Sequence, residues 1–411
     1  MSSSSTTHPV QNEKAAPPGD ARLIAAVTAA WMVSLFGYYA QSQLLGHVMS
    51  EFGKGEAAVG WLFSVENAAL ALSILAAAGP LARFSRARAA ALGATVVLLA
   101  SVASAFAPSW EFLLVMRCIS GMGAGLAGAA GTAAAASARD PERVYAAVIV
   151  AWGLAGAAEP TVIPYFTAPF GTMGGFLLIA AVALLVMPLF TGLLSPRETP
   201  GEEPSLFAAP HRTLALVAMA GLFIFEIGQG GVWMFIAQIG ENTGLTEYRV
   251  GNVITGAELT GLSGGIVATW LGGRFGRKWP IVLGLGFNVI AAVGMALTTS
   301  SLSYVIFIVL WNTAYNFVVP YLMGAMAAMD DLGRWVVASD GAWTLGDAAG
   351  PAVAGNLVEW GGHAPLALLA LVGGLSCMLM VLGVMHRFEA GERLPGEEPP
   401  PPPPPSQQPI H

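Results

Sequence analysis

The sequence predicts an all-α membrane protein: twelve transmembrane helices in two pseudo-symmetric six-helix bundles, with both termini on the cytoplasmic side. Three observations predict it. Of 411 residues, 55% are apolar and only 10% charged, with mean hydropathy +0.65, whereas a soluble domain carries about 25% charged residues. The apolar residues fall into twelve stretches near the ~20 residues that a helix needs to cross a bilayer core. A single offset, the one that carries Trp152 onto Trp343, also lays parts of the first six stretches on the last six.

In chain order the stretches are 22–49, 57–81, 89–107, 111–137, 144–168, 173–195, 213–240, 248–272, 279–299, 302–328, 338–359 and 364–386. Short Pro/Ser/Thr turns divide 89–107 from 111–137 and 279–299 from 302–328. Fifty glycines and many alanines suit helices that must approach closely in lipid. Residues 1–20 are a polar Ser/Pro-rich tail without a basic-then-apolar leader, so the first helix is expected to be the retained targeting signal. The division follows: an N-terminal bundle over 21–195, a polar linker over 196–212, a C-terminal bundle over 213–388 and a tail over 389–411. That tail contains seven consecutive prolines, Pro399 to Pro405, which favour an extended polyproline spacer.

Composition also excludes. A net charge of −7 without a basic stripe argues against a nucleic-acid partner. Cys118 and Cys377 both lie in apolar stretches and offer neither a disulfide framework nor a zinc site. No nucleotide-binding Gly-x4-Gly-Lys-Ser/Thr loop and no His-Glu-x-x-His pair occur, so neither ATP drive, an enzyme, a metal nor a cofactor is expected.

Lys and Arg placement orients the chain, because cytoplasmic loops carry the excess. With the N-terminus inside, fifteen basic residues fall inside, from Lys14 to Arg393, and only Lys54 and Arg249 fall outside. The expected location is the plasma (inner) membrane.

The repeat rests on residues that seldom coincide by chance. Glu56, Val59 and Gly60 fall on Glu247, Val250 and Gly251; Arg83, Phe84 and Arg86 fall on Arg274, Phe275 and Arg277. Trp152, Leu154, Ala157, Ala158, Pro160 and Val162 fall on Trp343, Leu345, Ala348, Ala349, Pro351 and Val353. A parallel repeat implies a pseudo-twofold axis along the membrane normal, with a site near the midplane where the halves meet.

Three motifs extend this reading. Residues 272–278 read Gly-Gly-Arg-Phe-Gly-Arg-Lys, with the partner Ala-Arg-Phe-Ser-Arg at 82–86. Helix 4 reads Arg117-Cys-Ile-Ser-Gly121-Met-Gly123-Ala-Gly125, and helix 11 reads Gly346-Asp-Ala-Ala-Gly350-Pro351. In these motifs, over residues 21–388, the chain resembles the major facilitator superfamily. The acidic residue of that family's loop motif is replaced by Ala82 and Gly273, and the Gly-Pro motif that antiporters carry in helix 5 stands here in helix 11. The resemblance implies that helices 1, 4, 7 and 10 line a central cavity, that 2, 5, 8 and 11 form its sides, and that the others face lipid.

Charged residues inside a bilayer cost roughly 2.5–3.5 kcal/mol each on insertion scales and survive facing a bundle interior. Six are found: Glu66, Arg117, Glu159, Glu226, Glu258 and Asp347. Glu226, Gln229 and Trp233 share one face of helix 7 at i, i+3 and i+7. Asn312 and Asn316 share a face of helix 10, as Ser34, Tyr38 and Gln41 do on helix 1. The substrate-binding set expected from this is Tyr38, Gln41, Glu226, Gln229, Trp233, Asn312 and Asn316. The proton-coupling set is Glu66, Arg117, Glu159, Glu258 and Asp347, with Glu159 either protonated or paired to Arg117. Structural roles are the alternative for each, since polar residues also join helices; for Trp343, beside Asp340 and Asp347 on one face, packing is the preferred reading. The resulting expectation is a monomeric secondary transporter that exchanges protons for a small organic solute, with efflux antiport ahead of uptake symport and of a receptor or scaffold on the same fold.

Overall fold

The computed structural model describes residues 20–81, 84–193, 211–329 and 334–389. The two tails and nearly all of the linker, together with Ala82 and Arg83, lie outside them. Twelve α-helices are present among the described residues: α1 (Asp20–Phe52), α2 (Glu56–Leu81), α3 (Arg86–Ala105), α4 (Trp110–Ala136), α5 (Pro141–Val162), α6 (Pro164–Val186), α7 (Arg212–Asn242), α8 (Glu247–Leu271), α9 (Lys278–Ala296), α10 (Ser301–Ala327), α11 (Arg334–Gly361) and α12 (Ala364–Glu389). They match the twelve expected stretches one for one.

Local chemistry sets several boundaries. Ser85, Ser109 and Asp140 cap α3, α4 and α5 by accepting from the amides of Arg88, Phe112 and Arg143, groups that a helix start leaves without partners. Pro141 and Pro164 stand in the first turns of α5 and α6, where a missing N–H costs nothing. The expected break between the fifth and sixth spans, 168–173, is found as a kink inside α6. Gly171 there has φ 56°, a conformation that a residue without Cβ takes readily. A 3-10 turn over Met187–Gly192 ends the first half.

Ten of the twelve helices are long and apolar enough to cross a membrane by composition alone. The two that are not, α8 and α11, carry Asn252, Glu258, Asp340, Asp347 and Asn356. Both helices pack against protein, α8 on α10 and α5, and α11 on α7 and α2, which gives Glu258 and Asp347 an interior setting, whereas Asn252, Asp340 and Asn356 are exposed.

The packing of α1–α6 recurs in α7–α12. The pairs α1·α5, α1·α6, α2·α4, α3·α4 and α3·α6 have the counterparts α7·α11, α7·α12, α8·α10, α9·α10 and α9·α12. Between the halves, α2·α11 and α5·α8 form a matched pair of seams, with α1·α7 between them. One hydrophobic core runs through α1–α6 and on into the ends of α7–α12 farthest from the termini, for example Phe235, Ile254, Tyr304 and Val358. A second core, with Leu222, Leu285, Leu322 and Trp335, fills the termini-facing part of the second half. The halves are therefore knitted together at the face opposite the termini.

Candidate functional site

Small residues bring the seam helices together. A Cβ on Gly60 of α2 would collide with the Pro351 carbonyl of α11, and one on Gly251 of α8 with the Pro160 carbonyl of α5. These residues correspond in the repeat. Cross-half hydrogen bonds seal the same end: Ala57 N donates to Glu359 Oε2 at 2.9 Å, the Ala352 amide to Ser64 Oγ at 2.8 Å, and His47 Nε2 lies 3.3 Å from Glu247 Oε1.

At mid-depth the halves part around a cavity of about 320 Å³. Its lining comes from α1 (Tyr38, Tyr39), α5 (Trp152), α7 (Glu226, Gln229, Trp233), α8 (Glu258), α10 (Trp311, Asn312, Tyr315, Asn316) and α11 (Asp347), among others. Tyr38 Oη donates to Asp347 Oδ1 at 2.8 Å, a bond from the first half to the second. Asp347 fits there because Gly230 on α7 opposes it without a Cβ, and Gly346 in turn makes room for Glu226. The glycines of the helix-11 motif thus serve the α7·α11 contact.

Each acid has a different setting. Glu226 is buried, with Oε2 3.5 Å from the Tyr315 hydroxyl and Oε1 without a partner. Glu258 accepts from Asn312, which also accepts from Asn316 at 2.6 Å. Glu159 is buried beside Tyr39 and Glu258, with Oε1 unpartnered. No Lys or Arg is among the residues that line the cavity. Aromatic rings form the remaining wall: Trp233 stacks with Tyr38 and with Trp311, each at 6.4 Å between centroids, and Tyr315 stacks on Trp311 at 6.3 Å.

Several expectations need correction. Arg117 does not meet Glu159. It is fully buried within the first half, donating from Nη1 to Glu66 Oε1 at 3.1 Å, from Nε to Ser104 Oγ at 3.0 Å and from Nη2 to Ser101 Oγ at 3.1 Å, over the Phe176 ring at 4.4 Å. The cause lies in α4: Gly121 and Gly125 let its backbone settle against the carbonyls of Glu66 and Leu70 on α2, which turns Arg117 toward α2 and α3. For the same reason α4 contributes nothing to the cavity lining, where helix 4 was expected. Gln41 is also elsewhere, bonded to Asn67 at 2.9 Å and to Glu66 at 3.5 Å. Glu66 and Gln41 line no part of the central cavity. Asp340 is exposed, while Trp343 packs edge-on against Phe225 and Tyr315.

Gln229 lines the cavity, yet its amide is held by Asn288 of α9 at 2.9 and 3.3 Å. Asn288, Tyr39, Trp311 and Tyr315 were not anticipated. Trp311 and Tyr315 precede Asn312 and Asn316 by one residue each, so helical spacing carried a signal for them. Trp152 was anticipated only as half of the repeat. One spacing, Gly261-Leu-Ser263-Gly-Gly265, matches a nucleophile elbow, but an elbow is a strained strand-to-helix turn. This one lies inside α8, with Ser263 Oγ donating to the Thr260 carbonyl.

The Major Facilitator Superfamily family model matches residues 27–320 and 218–410. No curated protein matches the sequence. Among solved structures, the chain is similar to a bacterial homologue of the human lysosomal transporter Spinster, in an inward-facing and unoccupied conformation. The TM-score is 0.69 at 14% identity, over 93% of this chain and 100% of that one, a likeness of fold.

Proposed function

The chain belongs to the major facilitator superfamily and is a multi-pass secondary transporter, and we propose that it couples protons to the efflux of a small organic solute by antiport. The observation that carries this reading is the base-free, acid-lined cavity bridged by the Tyr38–Asp347 hydrogen bond. Three carboxyls, Glu226, Glu258 and Asp347, line a space between two bundles. Uncompensated charge at that depth is costly, so each carboxyl holds either a proton or a cationic guest whenever the cavity is sealed. Protons and a cationic solute then compete to neutralise one cluster of carboxyls, which is the condition for exchange. Rocking that separates α1 from α11 breaks the Tyr38–Asp347 bond and frees Asp347 for the next occupant.

In this reading Tyr38, Glu226, Trp233, Asn312 and Asn316 contact the solute, Gln229 holds α7 to α9, and Glu258 and Asp347 handle protons. The Glu66–Arg117 pair acts as a structural clasp of the first bundle. The termini lie on the cytoplasmic side of the plasma or inner membrane, and the monomer is the working unit. Symport is the second reading. Glu159 favours it, since an unpartnered carboxyl outside the cavity lining could be protonated together with, and not against, the solute.

Proteoliposomes with an imposed pH gradient and a trapped pH-sensitive dye test this against a panel of organic cations, carboxylates and sugars. The reading expects an organic cation to dissipate the gradient. It fails if no panel member's movement depends on the gradient.

A further inference from the structure

Two indoles in the cavity wall are unusual. Trp233 and Trp311 are each 6% exposed, line the cavity, and leave Nε1 without a hydrogen-bond partner. Glu226, 1% exposed, leaves Oε1 in the same condition. Buried polar groups without partners cost roughly 1–3 kcal/mol each, and a cluster of them around one cavity calls for a physical cause. Here the orphans form a complementary set, two donors and an acceptor on side chains that line one space, and each atom is itself covered, so a guest reaches it as these side chains turn. The walls between them are aromatic faces, from Tyr38, Tyr39, Trp152, Trp233, Trp311 and Tyr315. Such faces attract a cation and accept a flat apolar body.

We propose that the cavity binds a protonated organic amine bearing an aromatic body and one hydrogen-bond-accepting oxygen. The ammonium group donates to Glu226 Oε1 and faces Asp347, the rings of Tyr38 and Tyr315 flank it, and the oxygen accepts from the indole of Trp311 or Trp233. At about 320 Å³ the space stands at the low end of ligand pockets, roughly 300–1,000 Å³, so the guest is small. The inference rests on the transporter reading for its meaning in the cell but predicts binding without it.

The test is quenching of intrinsic tryptophan fluorescence in the purified full chain, reconstituted in nanodiscs. The probes are 2-amino-1-phenylethanol, phenylethylamine lacking its hydroxyl, the neutral 1-phenyl-1,2-ethanediol, and the anion mandelate. The amino alcohol is expected to bind best, with the diol and mandelate weaker by about tenfold or more. Trp311→Phe or Trp233→Phe, each keeping an aromatic ring, should erase the preference for amino alcohol over phenylethylamine in the one that supplies the donor, while amine binding persists. Glu226→Gln should remove the preference for amine over diol. Equal binding of diol or mandelate, no binding of either amine, or a hydroxyl preference unchanged in both Trp311→Phe and Trp233→Phe overturns the proposal. Gradient-driven flux of sugars or carboxylates without amine binding would refute the amine site and keep the transporter; amine binding without any flux would do the reverse.

Discussion

Tyr38 on α1 and Asp347 on α11 are joined by a 2.8 Å hydrogen bond that crosses from one six-helix half to the other at the mid-depth of the protein. A bond from a hydroxyl to a carboxyl is worth about 1–3 kcal/mol net. Tyr38→Phe keeps the ring stacked on Trp233 and removes only that bond. The expected result is a population shift of roughly fivefold or more away from the state sealed opposite the termini. Spin labels on the α1–α2 and α7–α8 connections would report it as a longer distance component in pulsed electron resonance.

The Gly60–Pro351 and Gly251–Pro160 contacts predict a matched pair of effects. Gly60→Val and Gly251→Val each place a side chain where the opposing carbonyl now lies. Overpacking of this kind costs about 1–3 kcal/mol, and here it falls on the sealed end alone. Both variants should let a membrane-impermeant thiol reagent reach Ser64→Cys from the face opposite the termini, whereas the unsubstituted seam should protect it. Equal labelling with and without the glycine substitutions would contradict the seam.

Arg117 is predicted to matter for stability. Removing one member of a buried ion pair costs about 3–5 kcal/mol because its partner stays charged and unpaired, whereas replacing both is far milder. Arg117→Met should therefore lower the melting temperature more than Arg117→Met combined with Glu66→Gln. Thermal exposure of the buried Cys377 to a thiol-reactive dye gives the readout. Arg117→Lys should not rescue, because an ammonium cannot reach Glu66, Ser101 and Ser104 together.

His363, between α11 and α12, gives a pH prediction. Burial holds its imidazole below the usual 6.5, outweighing the opposing pull of Glu56, and its Nε2 lies 3.0 Å from Gln238 Oε1. The unfolded chain then binds this proton more readily than the folded one. Its stabilising contribution is present above pH 6.5 and is lost as the pH falls through the folded value. His363→Gln should flatten the decline in melting temperature between neutral and mildly acid pH. An unchanged slope would show that the ring is not the cause.

The fold was legible because apolar length and a fixed offset are properties of sequence alone. Even α8 and α11, too polar to span by composition alone, were read among the twelve stretches, and their Gly, Trp and Pro matches to α2 and α5 supported them. The site was legible along one helix at a time. Glu226, Gln229 and Trp233 share a face, and all three line the cavity. What lay between helices was not legible. Which neighbour Arg117 meets depends on how closely α4 approaches α2, a consequence of Gly121 and Gly125 rather than of charge. Gln41 stands about 60° around α1 from Tyr38 at 100° per residue, enough to turn it from the cavity toward Glu66 and Asn67, while Tyr39 stays in the lining. Nor could the Gln229–Asn288 bond be read from two helices 59 residues apart.

Exchange of protons for solute at the cavity carboxyls can be separated from solute binding in a single comparison. In proteoliposomes holding wild type, Glu226→Gln or Asp347→Asn, solute accumulation driven by a pH gradient is measured beside solute-for-solute exchange without a gradient, using the amine that binds wild type. Asp347→Asn should lose gradient-driven accumulation and keep exchange, while Glu226→Gln should be impaired in both. Undiminished gradient-driven accumulation in Asp347→Asn would contradict it.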